Sequence, residues 1–196
     1  MAKTIIGLVG PIASGKGTVV DNLEEKGYSS YSLSDRIREE IRSRGQEVTR
    51  ETLNTVSNEL RITFGANILA QRTAEIIEKE NLELVVVDSI RNPEEISYLK
   101  QRFDAKIIGV VAPQEKRFEF FKNRTTNSMG ISSWEEFKTL DDKELKQEGE
   151  HKQQVKACLE LADFTIENNG TIEDLKGKIE EILTQISGPS QNRTGV

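Results

Sequence analysis

Short apolar runs recur along the chain at Thr4–Val9, Leu84–Asp88, Lys106–Val111 and Asp163–Glu167, with a weaker one at Tyr28–Ser32. Ile5-Ile6-Gly7-Leu8-Val9 and Leu84-Val85-Val86-Val87 are continuous rather than alternating, which is the pattern of strands covered on both faces. Between them the apolar residues return at helical spacing over Lys16–Lys26, Ser34–Arg44, Arg50–Phe64, Asn67–Glu80, Pro93–Arg102, Gln114–Arg124, Trp134–Gln147, His151–Ala162 and Ile172–Ile186. Pro93 suits a first helical turn, and Ser133 with Glu136 and Thr171 with Asp174 read as helix starts in which side chain and backbone cap each other. Strands alternating with helices predict an α/β fold, a three-layer α/β/α sandwich on a five-stranded parallel sheet. Two helix-rich excursions interrupt the alternation, at about 34–80 and about 122–150, within one domain over 1–186. The stretch 187–196, polar with Gly and Pro, reads as a flexible tail.

Composition narrows the classes. The 196 residues carry 27 Lys and Arg against 33 Asp and Glu, a formal charge of −6. That balance argues against broad nucleic-acid binding, though a small anion needs only local positive charge. The excess acid lies in 133–186, where 14 acids face 7 bases, so the remainder is close to neutral. Cys158 is the sole cysteine, which excludes an internal disulfide framework and fits a reducing compartment. No apolar run approaches the roughly 20 residues of a membrane span. The N-terminus enters a strand-like run without the shape of a signal peptide, and the expected location is cytoplasmic. Asn192-Arg-Thr matches a glycosylation pattern by chance in such a chain.

The sharpest motif follows the first strand: Gly10-Pro-Ile-Ala13-Ser14-Gly15-Lys16-Gly17-Thr18. It fits G-x-x-x-x-G-K between a buried strand and a helix, the setting a phosphate-binding loop requires. Glycines let the backbone curl so that successive N–H groups face one phosphate, and the next helix adds its positive N-terminus. Lys16 reaches the β- and γ-phosphates. The usual Ser or Thr after the lysine is Gly17, so a magnesium ion is expected to be held through water and nucleotide, with Thr18 on phosphate.

Asp88 ends the third strand, the edge where open α/β sheets bind ligands. It can order the water shell of Mg²⁺, or merely cap the next turn. Arg91 follows on the same edge, able to grip a phosphate bidentately or to pair with Glu94 or Glu95. Eleven of 12 arginines fall between Arg36 and Arg124. Asp35, Arg36 and Arg61 in the first excursion are candidates for binding an acceptor, Arg36 foremost. Arg117 and Arg124, seven residues apart on one helical face, precede a Gly/Ser/Asn-rich stretch that suits a lid. A lid arginine would place charge on the transferring phosphoryl group, and the alternative is pairing with Glu115 or Glu119. Phe118, Phe120 and Phe121 read as core rather than a base-stacking platform, and His151 as surface.

With GKGT, Asp35/Arg36, Asp88/Arg91 and the lid arginines in place, the chain resembles the P-loop nucleoside monophosphate kinase and dephospho-CoA kinase superfamily over about 3–186. Asp142 to Glu144, Gln154-Val155, Cys158, Ala162-Asp163 and Asn168-Asn169-Gly170 run in an order similar to the tail of dephospho-CoA kinase-like proteins. The resemblance implies that Asn168 to Gly170, Asn169 among them, lie near the adenine. It also implies ATP and Mg²⁺ as cofactors and a small nucleotide as acceptor. The D-G-x-P-R pattern is not intact, because Ser89 stands for the usual Gly, and one cysteine cannot build a zinc-type lid. The expected activity is transfer of the ATP γ-phosphate to a nucleoside monophosphate. Two rivals remain: transfer to a hydroxyl, as in dephospho-CoA kinase, with Asp35 or Asp88 as base, and a nucleotide-binding ATPase or regulator. Oligomeric state is not legible.

Overall fold

The computed structural model describes residues 3–123, 131–145 and 153–188. Strands β1 (Thr4–Val9), β2 (Ser29–Ser32), β3 (Leu84–Asp88), β4 (Lys106–Val111) and β5 (Phe164–Glu167) form one sheet in the order β2-β3-β1-β4-β5. Every pairing is parallel, as the continuous apolar runs predict. The connections are helices α1 (Lys16–Glu25), α2 (Leu33–Ser43), α3 (Arg50–Phe64), α4 (Ile68–Lys79), α5 (Pro93–Phe103), α6 (Gln114–Lys122), α7 (Trp134–Leu145), α8 (Val155–Glu160) and α9 (Ile172–Ser187). The predicted elements recur with their ends displaced by a residue or two, except α8, which starts only at Val155 after the non-helical Gln153 and Gln154.

The two faces of β1 and β3 separate two layers of helix. Ile5, Val9, Val85 and Val87 pack with Ile37, Leu60, Leu69, Ile77 and Leu99 from α2, α3, α4 and α5. Ile6, Leu8 and Val86 pack with Val19 and Leu23 of α1 and with Leu175, Ile179 and Ile182 of α9. Burying a Leu or Ile side chain contributes about 1.5–3 kcal/mol, so both layers are tied firmly to the central strand. A third cluster joins Ile12 and Ala13 to Phe121, Ile131 and Phe137, with Phe118, Phe120 and Trp134 against it. The phenylalanines of α6 are thus core, as expected, and they seat the loop after β1 on α6 and α7.

β1 lies between β3 and β4; the chain passes from β1 to β2, beyond β3, and from β3 back past β1 to β4. The C-terminal ends of β1 and β3 therefore open side by side, at the point where α/β sheets bind ligands. Helices α2, α3 and α4 of the first excursion cover that edge from one side.

Candidate functional site

The loop between β1 and α1 is shaped by two glycines. Gly10 has φ +154°, and a Cβ there would sit 2.3 Å from the Val110 carbonyl oxygen. Gly15 has φ +103°, and its Cβ would sit 2.3 Å from Asn168 Nδ2. Asn168 Nδ2 donates to the Ser14 carbonyl at 3.0 Å, while its own backbone N–H donates to Val111 at 2.7 Å. The end of β5 thus braces the loop from outside. Lys16 Nζ donates to the carbonyls of Gly10 (2.7 Å) and Pro11 (3.0 Å), which arches its chain across the loop. Helix α1 starts with no side-chain cap and no acid in its first turn, leaving its positive end for an anion.

Asp88 Oδ1 is buried without a hydrogen-bond partner, at the end of β3 next to the loop. Such an atom calls for a water, a cation or a proton-bearing ligand group. Gly17 is exposed, and a Cβ there would meet nothing within 4 Å. No cluster of three His, Cys, Asp or Glu side chains that could hold a metal occurs among the described residues. The residues therefore fit a magnesium ion carried by nucleotide phosphates and water, with the orphaned Asp88 oxygen facing that shell. Ser89, which follows, has φ +63°, a left-handed conformation that glycine adopts at least cost. Its Oγ lies 2.9 Å from Ser32 Oγ and 3.3 Å from Asp88 Oδ2, so the hydroxyl ties the strained turn to β2 and to the carboxylate.

Beside the loop lies a cavity of about 280 Å³. Its size is close to the lower end of the roughly 300–1,000 Å³ range of small-molecule sites. Ile12 of the loop, Ser89 and Arg91 after β3, Arg38 of α2, Arg50 and Arg61 of α3, and Lys143 and Glu144 of α7 stand in its walls. The first excursion and the described part of the second thus share this space.

The candidate arginines go to different places. Arg61 is 1% exposed and lines the cavity, but its guanidinium donates to Ser57 Oγ and, at 2.8 Å, to Glu95 Oε1. Glu95 is fully buried at the start of α5 and also accepts the backbone N–H groups of Arg91 (2.9 Å) and Asn92 (3.1 Å), so one carboxylate fastens α3 to the turn after β3. Arg91 lines the cavity, where its Nη1 contacts Glu144 and donates to Gln153 at 3.0 Å, not Glu94 or Glu95. Burial lowers the Arg91 pKa from its ordinary value; Arg61 and Arg50 push the same way, and Asp88 and Glu95 oppose them. Asp35 pairs with Arg38 at 2.8 Å, whereas Arg36 pairs with Glu39 at 2.7 Å. Ser34, Ile37 and Arg38 form the cavity face of α2, and Arg36, two residues on from Ser34, falls on another face. Arg38 thus takes the wall where Arg36 was the leading candidate.

Arg117 is turned inward, only 4% exposed. It donates to Ala112 and Ile12 carbonyls, each at 3.0 Å, and to both oxygens of Asp141. For Arg117 this differs from a lid arginine over the phosphoryl group: its donors are taken by Ala112, by Ile12 of the loop and by Asp141 of α7. The alternative of pairing with Glu115 or Glu119 is also replaced, because Asp141 of α7 supplies a buried partner that an exposed helical neighbour does not. Arg124, most of the proposed lid and His151 lie outside the described residues. Asn169, the residue after Asn168 at the end of β5, accepts a hydrogen bond from Lys116 Nζ through its carbonyl. Sequence reasoning did not single out Arg38, Arg50, Lys143 or Glu144 as cavity groups. Arg38 was open to the helical period, but the others come together only because α3 and α7 border the same cavity.

A phosphate loop at the switch point of an all-parallel five-stranded sheet, with a cation-rich cavity next to it, defines a kinase-like P-loop nucleotide-binding fold. Residues 6–150 match a family model described as an AAA domain. The chain belongs to the UPF0200 family: it is 30% identical to a UPF0200 protein of Thermococcus kodakarensis over 93% of this chain and 97% of that one. It is 37% identical to a UPF0200/UPF0201 protein of Archaeoglobus fulgidus over 93% of its own length, and there it spans 56% of the relative. Among solved structures it is similar to shikimate kinase from Bacteroides thetaiotaomicron, with a TM-score of 0.59, 12% identity, and 92% and 98% of the two chains covered. It is also similar to dephospho-CoA kinase from Campylobacter jejuni, with a TM-score of 0.50, 18% identity, and 95% and 99% covered. The likeness to these two structures bears out the P-loop kinase fold.

Proposed function

We propose that the protein transfers the γ-phosphate of ATP to a small phosphorylated acceptor, a nucleoside monophosphate. The observation that carries this reading is the cavity of about 280 Å³ in which four arginines and a lysine stand beside the phosphate loop. The loop's N–H groups and Lys16 hold the nucleotide's phosphates, and Thr18 lies in the same first turn. Magnesium, when bound, spreads the charge of the β- and γ-phosphates, and Asp88 orients its water. An acceptor phosphate oxygen attacks the γ-phosphorus, a P–O bond forms, and the bond to the β-phosphate oxygen breaks to release ADP. An ionised acceptor phosphate has no proton to lose, so no general base is required. Catalysis then rests on placing cations and excluding water, to which the arginines and the lysine around the cavity contribute.

A second reading is favoured by the orphaned Asp88 oxygen, which is suited to take a proton from an attacking hydroxyl. Transfer to a hydroxyl would then use the same loop and cavity. A coupled assay for ADP against nucleoside monophosphates, deoxynucleoside monophosphates and dephospho-CoA separates the two. Turnover with a monophosphate supports the first; turnover with dephospho-CoA alone replaces it with the second. ATP hydrolysis unchanged by every acceptor contradicts both and favours the ATPase or regulator.

A further inference from the structure

The cavity's cations are not equally available. Arg61 is matched by Glu95, Arg38 by Asp35, and Arg91 by Glu144, so three positive charges already have carboxylate partners. Arg50 and Lys143 line the same cavity, and neither makes an ion pair among the described residues. They come from different helices, Arg50 as the first residue of α3 and Lys143 in the last turn of α7. Both also border a second, neighbouring groove lined mainly by α7. Glu135 and Glu136 line that groove, but Glu136 is spent on the N–H groups of Ser132 (2.8 Å) and Ser133 (3.2 Å). Burial lowers the Arg50 pKa with no carboxylate offsetting it. Two cations facing one space, one of them partly desolvated, repel each other until an anion enters.

We infer that Arg50 and Lys143 form the anion clamp of this cavity and take the phosphate of the acceptor between α3 and α7. The two uncompensated charges balance a phosphate monoester dianion, whereas Arg91 and Arg61 shape the cavity through their carboxylate partners. The clamp rests on the phosphotransferase reading and deepens it, because it names the groups that would recognise a phosphate-bearing acceptor and draw α7 toward α3. It also disfavours an uncharged hydroxyl acceptor, which would leave both cations without a counter-charge.

The test uses the full chain with its phosphate loop first saturated by a non-hydrolysable ATP analogue and magnesium. Inorganic phosphate is then titrated and the thermal midpoint followed. Phosphate should stabilise the wild type, each of Arg50→Gln and Lys143→Gln should weaken that response roughly tenfold in phosphate concentration, and Lys143→Arg should restore it. Lys138→Gln, an exposed change on the same helix, should behave as wild type. An equal response in wild type and the Arg50→Gln/Lys143→Gln double variant overturns the clamp, as does no response in the wild type. The acceptor panel is read separately. Monophosphate turnover with an unchanged KM in the double variant sinks the clamp and leaves the kinase reading standing. Phosphate binding that depends on both residues, without turnover of any monophosphate, keeps the clamp and sinks the nucleotide acceptor. If the ATP analogue itself fails to bind, the kinase reading falls, and the clamp is judged by the same titration without it.

Discussion

Arg117 and Asp141 meet as a buried pair, with Arg117 Nη2 2.6 Å from Asp141 Oδ2, while Nη1 of the same guanidinium donates to the Ile12 carbonyl at 3.0 Å. The phosphate loop is thus bolted from behind to α7, whose far end carries Lys143 and Glu144 into the cavity. Removing one partner of a buried ion pair strands the other, at a cost of about 3–5 kcal/mol. Asp141→Ala should therefore lower the urea-unfolding free energy by that order. It should also weaken binding of ATP to the protein that remains folded, because the Ile12 carbonyl loses its anchor. Loss of stability with ATP affinity unchanged would show that the pair serves packing alone.

Gly17 tests the departure from the usual loop. Its Cβ position is open, so Gly17→Ser places a hydroxyl directly after Lys16 without a clash. Replacing a helical glycine should raise stability by about 0.5 kcal/mol. The magnesium concentration needed for half-maximal ATP binding should fall. An unchanged magnesium requirement would mean that the ion sits away from this first turn.

Gly15→Ala gives the opposite result at the neighbouring position. Its φ of +103° and the Asn168 amide 2.3 Å from the new carbon leave no relaxed place for a methyl group. Nucleotide binding should be lost with the fold largely kept, since the strain falls on the loop rather than on the strands. Titration of the variant with ATP checks this, and wild-type affinity would refute the bracing role given to Asn168.

Cys158 is fully buried, and burial pushes its thiol from 9.0 to about 12, with the Glu95 carboxylate acting in the same direction. The folded protein therefore holds that proton longer than the unfolded chain. Its stabilising effect is whole below pH 9 and declines by about 1.4 kcal/mol per pH unit as pH rises toward the folded value. Cys158→Ala should flatten the alkaline limb of the stability profile, measured by urea unfolding at several pH values. The native thiol should also resist alkylating reagents until the protein is unfolded. An identical alkaline slope in both proteins would contradict the assignment.

The sheet was legible because each strand is either a continuous apolar run or is flanked by unmistakable helical spacing. The loop was legible because its chemistry is local: glycines and a lysine at fixed spacing after a strand. The cavity was legible only in part. Asp88 and Arg91 sit where the strand end puts them, but the pairing of Arg61 with Glu95, 34 residues apart, is a matter of tertiary packing. The same is true of Arg117 with Asp141. A guanidinium looks the same in sequence whether it awaits a ligand or is matched by a buried carboxylate, and that difference moved the candidate clamp from Arg36 and Arg91 to Arg50 and Lys143. Ser89 is the converse case, since the replacement of an expected glycine was visible, and its left-handed backbone is one that glycine would adopt at least cost.

The most direct measurement of the central claim follows ³¹P signals of ATP, magnesium and each nucleoside monophosphate in turn, with the wild type and Lys16→Ala side by side. The account predicts that one monophosphate is converted to its diphosphate as ADP appears in equal amount, and that Lys16→Ala abolishes both signals. Release of inorganic phosphate in place of any diphosphate, or full activity in Lys16→Ala, would contradict it.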